Sequence, residues 1–181
     1  MLSVARSESL FLMTTCAGFE AVSCNDARVL LLGTLPGAES LKQQQYYAKK
    51  QNSFWKIMGE LVGASPDLPY EDRLKRLVQS KIALWDVCAA AVRKGSLDSY
   101  IQAPVPNDFV SFFRRHKHIE LICFNGQPAS RLFLRHVAPD MTEGVLSLPR
   151  FILPSTSPAH ASMRFEEKLS RWRMVLGPFS A

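Results

Sequence analysis

A three-layer αβα sandwich, with helices on both faces of a central four-stranded parallel sheet, is the fold this sequence predicts. Three observations predict it. Four short runs are apolar at consecutive rather than alternating positions, as strands covered on both faces must be. Stretches with the apolar spacing of helices lie between them. Each run ends in a turn residue or a polar group, in GTLPG, WDV, FNG and PSTSP. Helical crossovers bring such strand ends to one edge of the sheet, where open α/β folds bind their ligands.

The elements follow in order. Residues 1–26 have mixed polarity and no clear period, and read as a loosely ordered extension before a single domain over 27–181. The apolar run at 10–13 is too short for a signal sequence or a membrane span, and Met13 is a second candidate start beside Met1. RVLLLG (28–33) is the first strand. Phe54, Ile57, Met58, Leu61 and Val62 mark a helix that stops at Gly63, and Leu74, Leu77 and Val78 mark another. IALWDV (82–87) is the second strand. NDFVSFFRRH follows as a helix capped by Asn107 or Asp108, and its RRHKH end (114–118) reads as ordinary surface. IELICFNG (119–126) is the third strand, PASRLFLRHV a helix and RFILPS (150–155) the fourth strand. The last helix is expected to begin at Ser157 as N-cap, with Pro158 in its first turn. Phe165, Leu169, Trp172 and Leu176 would be its buried stripe, and Arg164, Lys168 and Arg171 a solvated basic one.

Hydrophobic residues make up 47% of the 181, enough for a sizeable core, and charged residues 21%, which excludes a disordered tail or a membrane protein. A net charge of +6 favours a polyanionic partner such as nucleic acid. Cys16, Cys24, Cys88 and Cys123 form no closely spaced pair, which argues against zinc and iron–sulfur sites. They read as reduced thiols, and a cytoplasmic location is expected.

No GxGxxG, GxxxxGK[ST] or HExxH motif occurs, and no Ser-His-Asp arrangement is apparent. Tyr46, Tyr47, Asn52, Phe54 and Trp55 instead suit a flat, neutral, stackable ligand such as a nucleobase. Ser155, Thr156 and Ser157 would place hydroxyls and free N–H groups at a helix N-terminus, a ready phosphate site.

GTLPG, YY, N-x-FW and PSTSPA, in this order, resemble the two signature motifs of the uracil-DNA glycosylase superfamily. They are most similar to its hypoxanthine-DNA glycosylase branch, also called DNA-deoxyinosine glycosylase. The resemblance spans residues 18–176 and includes LWDV, R-x-GS-x-D and FNG. It implies a DNA-repair hydrolase, expected to be monomeric, that flips out a deaminated base and cleaves its N-glycosidic bond without metal or cofactor. Many relatives carry Asp or Asn directly before the proline of the first motif, where this chain has Leu35. The branch relies instead on the asparagine of N-x-FW, here Asn52, to orient water. Where the second motif usually offers His or Asn to the base, this chain has Ser155.

The resemblance therefore gives a base pocket of Gly33, Thr34, Leu35, Pro36, Tyr47, Phe54, Asp86 and Ser155, with Phe54 as stacking floor. Ser155, Thr156, Ser157 and Arg164 would meet DNA phosphates. His160 or Met163 would plug the gap left by the flipped base, because Ala159 is small. Plainer readings stand beside these. Asn52 can be a helix cap, Phe54 and the tyrosines core, and Asp86 the partner of Arg93; Asn125 and Gly126 fit best as shapers of a strand end. No lysine lies between Lys56 and Lys75, so no lyase step is expected. The alternatives in function are a uracil- or mismatch-specific glycosylase, a catalytically silent DNA-binding module and a small-molecule nucleotide hydrolase.

Overall fold

The computed structural model describes residues 14–93 and 95–179. Four strands, β2 (Val29–Gly33), β3 (Ile82–Asp86), β6 (Leu121–Asn125) and β7 (Arg150–Leu153), form a parallel sheet in the order β3-β2-β6-β7. β2 is central and buried at every position, so its consecutive apolar residues serve two cores. Val29 and Leu31 point to one layer, with α2 (Phe54–Val62), α3 (Tyr70–Gln79) and α7 (Phe165–Leu176). Leu30 and Leu32 point to the other, with α4 (Phe109–Arg115) and α5 (Gln127–His136). The three-layer expectation holds, and Gly63 ends α2 in the left-handed conformation, at φ 71°. Asp108 caps α4, its carboxylate accepting from Ser111 N–H at 2.9 Å.

Several expectations are corrected. β7 is an edge strand with Phe151 and Ile152 exposed, so it is not covered on both faces. A second, antiparallel sheet of β1 (Thr14–Ala17), β4 (Cys88–Arg93) and β5 (Gln102–Pro106) was not foreseen. Pro104 and Pro106 hid β5, since proline is confined to edges, and β5 is an edge. β1 pairs with β4, and Val22 bridges Leu84, so the expected extension is tied to the domain from residue 14 onward. Residues 1–13, including the 10–13 run and Met13, lie outside the described residues.

The last helix begins at Phe165, with Arg164 as its N-cap and not Ser157. Trp172 and Leu176 are buried as expected, but Lys168 leaves the basic stripe: it is buried, and Nζ donates to the His160 carbonyl at 2.8 Å. Within RRHKH, His116 is core, stacked on Phe112 with its ring nitrogens on Phe112 O and Ser23 Oγ. Among the described residues the other α-helices, α1 (Ala38–Gln43) and α6 (Glu143–Leu146), are short. Among the described residues no helix is long and apolar enough to cross a membrane.

Candidate active site

The carboxyl ends of all four parallel strands open into one cleft of about 820 Å³. Residues 33–40 following β2, Asp86 from β3, Asn125 from β6 and residues 155–159 after β7 line it, together with 46–52. This volume lies within the roughly 300–1,000 Å³ of small-ligand sites.

Asn52 stands at its wall immediately before α2. Its N–H donates to Lys49 O at 2.8 Å, and its Oδ1 accepts from Phe54 N–H at 2.9 Å. The N-cap of α2 is Ser53, so Asn52 is not the helix cap; its side chain holds the first helical N–H from one residue outside the cap while it stands at the cleft. The carbonyl oxygen keeps a second lone pair for a water.

The adjacent tyrosines separate by task. Tyr46 is buried, its hydroxyl donating to Glu20 O at 3.2 Å and its carbonyl accepting from Trp55 Nε1 at 2.8 Å. Tyr47 has φ 54°, a left-handed backbone uncommon for a bulky residue, and this turns its ring into the cleft. There it stacks on Phe54, with centroids 4.0 Å apart and 21° between the planes. Phe54 is 0% exposed and does not line the cleft, so the expected floor is covered and Tyr47 supplies the aromatic surface instead.

Asp86 is buried, and its Oδ2 has no hydrogen-bond partner. Burial is the main reason its carboxyl is pushed up to about 7; the Asp98 charge adds to this and Arg93 partly offsets it. Asp86 makes no ion pair with Arg93, whose guanidinium donates to the carbonyls of Leu35, Pro36 and Gly95. A Cβ at Gly33 would sit 2.5 Å from Asp86 Oδ1 and 2.9 Å from the Tyr47 hydroxyl, so only glycine lets these groups meet. Thr34 donates to Asp98 Oδ1 at 2.6 Å, while Leu35 is buried and brings no polar side-chain atom.

The segment after β7 is clamped from inside. Thr156 N–H donates to Asn125 Oδ1 at 2.9 Å, Asn125 Nδ2 donates to Thr156 Oγ1 at 2.8 Å and to the Tyr47 hydroxyl at 3.0 Å. Ser53 N–H donates to Thr156 O at 3.0 Å. Asn125 thus does more than shape a strand end: it lines the cleft and joins three of its walls, a role that only the polar residue closing ICFN could have signalled. Ser155 lines the cleft and its Oγ accepts from Ser157 N–H at 3.2 Å. No helix begins at Ser157, so the expected helix N-terminus is absent there. His160 and Met163 line a neighbouring cleft and not this one, and Arg164 is exposed.

The profile of the uracil DNA glycosylase superfamily matches residues 20–175. The chain belongs to that superfamily. Within it, the chain is 42% identical over 162 residues to a hypoxanthine DNA glycosylase of Methanosarcina acetivorans, covering 87% of this chain and 96% of the relative. It is 35% identical over 111 residues to a hypoxanthine DNA glycosylase of Methanosarcina barkeri, covering 61% of this chain and 70% of the relative. The solution NMR structure of a Methanosarcina acetivorans protein put forward as a uracil DNA glycosylase superposes with a TM-score of 0.77 at 33% identity. That match covers 93% of this chain and all of the other. Gly33, Tyr47 and Asn52, at the end of β2 and in the loop after it, and Thr156, after β7, line the same cleft. Among the described residues no three His, Cys, Asp or Glu side chains converge to hold a metal ion.

Proposed function

We infer that this protein is a monofunctional DNA glycosylase that hydrolyses the N-glycosidic bond of a deaminated base, foremost hypoxanthine from deoxyinosine. The observation that carries the reading is the convergence of Asn52, Tyr47, Asp86 and Asn125 on one cleft in a superfamily member whose relatives are named hypoxanthine DNA glycosylases.

A nucleotide swung out of its duplex lays the base against the Tyr47 ring. Asp86 faces its edge. In its charged form, which prevails above pH about 7, it accepts the N1–H of hypoxanthine and repels the N1 lone pair that adenine presents there. The Asn52 amide is neutral and cannot remove a proton outright; its Oδ1 accepts a hydrogen bond from water and aims the oxygen at the sugar carbon. The C1′–N bond breaks with its electron pair going to the base, the water oxygen bonds to C1′, and the water proton passes to the departing base or to solvent. The products are free base and an abasic site. Stabilising that charge falls to preorganised donors in the cleft. The basic net charge of +6 supplies salt-sensitive attraction to DNA.

The test is an end-labelled duplex carrying inosine, uracil, xanthine or an intact base, incubated with protein and then treated with alkali. Strand breaks at inosine with wild type, reduced about 100-fold or more in Asn52→Ala while duplex binding persists, are the expected outcome. Binding without turnover in wild type would leave a silent DNA-binding module; breaks mainly at uracil would reassign the substrate. Activity on free nucleotides without salt dependence would point to the hydrolase alternative.

A further inference from the structure

We propose that Leu97, in the β4–β5 connection, is the side chain that fills the gap in the base stack when a nucleotide is flipped into the cleft. This rests on the glycosylase reading. Extrusion leaves a hole that an apolar side chain at the mouth must fill if the flipped state is to persist. The segment after β7 does not provide one at the cleft: Ala159 is small, and His160 and Met163 face only the neighbouring cleft of about 580 Å³.

Leu97 lines both clefts, so it stands on the ridge between them, beside Ser155, Ser157 and Ala159, which also line both. It is 46% exposed, yet its backbone is held on either side. Gly95 O accepts from Arg93 Nε at 3.0 Å, Ser96 Oγ accepts from Ala38 N–H at 3.0 Å, and Asp98 Oδ1 accepts from Thr34 Oγ1 at 2.6 Å. Tyr100 N–H closes the turn on Leu97 O at 3.1 Å. Arg93, itself buried, also ties this connection to the Leu35 and Pro36 carbonyls of the first-motif loop. An apolar side chain carried on a braced backbone is pre-organised to enter a base stack, since little further backbone ordering is needed on binding. Tyr100 is exposed as well but lines neither cleft.

The role acts on duplex and not on single strands, which have no hole to fill. Single-turnover rates would be measured for inosine in a duplex and in the same oligonucleotide unpaired, for wild type, Leu97→Ala, Leu97→Met, His160→Ala and Met163→Ala. The duplex-to-single-strand rate ratio should fall about tenfold in Leu97→Ala and recover in Leu97→Met. As a readout independent of turnover, 2-aminopurine beside the inosine should brighten on binding wild type and Leu97→Met, and much less with Leu97→Ala. An unchanged ratio and unchanged brightening in Leu97→Ala would overturn the proposal, as would a fall confined to His160→Ala or Met163→Ala. Failure of the glycosylase reading looks different, because wild type would then cleave neither substrate.

Discussion

The loop leaving β2 and the loop leaving β7 both start at the carboxyl edge of the sheet, and both carry hydroxyls, a proline and small residues. Their polar groups end up differently. After β7, Thr156 is buried and bonded through its N–H, hydroxyl and carbonyl, to Asn125 and Ser53. After β2, Asn52 uses its Oδ1 once and stays at the cleft wall, and the Asp86 carboxyl facing that loop keeps an unpartnered oxygen. A polar group satisfied within the protein holds shape, and one left incomplete at a cleft is available to a ligand. The second loop fixes the first through Ser53, while Asn125 at the end of β6 holds both Thr156 and Tyr47, and the first loop meets the substrate.

Substitutions can break or sharpen that contrast. The largest effect is expected for Asn52→Ala: turnover of inosine duplex should drop about 100-fold while stability falls by only about 1 kcal/mol, the cost of the lost hydrogen bond to Phe54 N–H. Kinetics and urea melts on the same samples separate the two.

Asp86 gives the next effect, in stability against pH. Its carboxyl stays protonated in the fold up to about 7, whereas the unfolded chain releases that proton near the ordinary carboxylate value of 3.8. Between those values the folded state binds more protons, so the stability that neutral Asp86 contributes is present at acid pH and is lost as pH rises to about 7. The swing is of the order of a few kcal/mol. In Asp86→Asn the fall in Tm between pH 5 and pH 8 should shrink, while rejection of adenine weakens.

Thr156→Val removes the acceptor of Asn125 Nδ2 and should destabilise by about 1–3 kcal/mol. If the contrast is right, Tm falls more than turnover does, the reverse of Asn52→Ala. Tyr47→Phe is the mildest, at about 1 kcal/mol, because Asn125 Nδ2 still donates to Thr156 Oγ1. A change in Km for inosine duplex larger than the change in Tm would place the Tyr47 hydroxyl on the ligand side of the contrast.

Much of the scaffold was legible. The runs ending at Gly33, Asp86, Asn125 and Leu153 are strands because each is dense in apolar, strand-forming residues bounded by turn chemistry, and their shared edge is where the cleft lies. Less legible was anything set by contacts distant in sequence. β4 follows β3 after a single residue, and its pairing with β1 is antiparallel, so no crossover pattern announced the second sheet. PSTSPAH offered good capping residues, but Thr156 was taken up by Asn125 and Ser53, and the helix waited until Phe165. The family resemblance made Phe54 the ligand floor, and no sequence mark separates a core aromatic from a cleft one; the positive φ at Tyr47 lays one ring over the other.

By itself the sequence determined the parallel sheet, its two covering layers and the gathering of polar strand ends at one edge, because hydrophobic period and turn residues act locally and connection rules leave few topologies. Only the tertiary structure decided which of the gathered side chains remain free. Asn125, Thr156 and Arg93 are consumed by partners far along the chain, whereas Asn52, Asp86 and Leu97 line the cleft, Asp86 with a buried oxygen that no protein group bonds. That allocation depends on three-dimensional proximity, which no local pattern records.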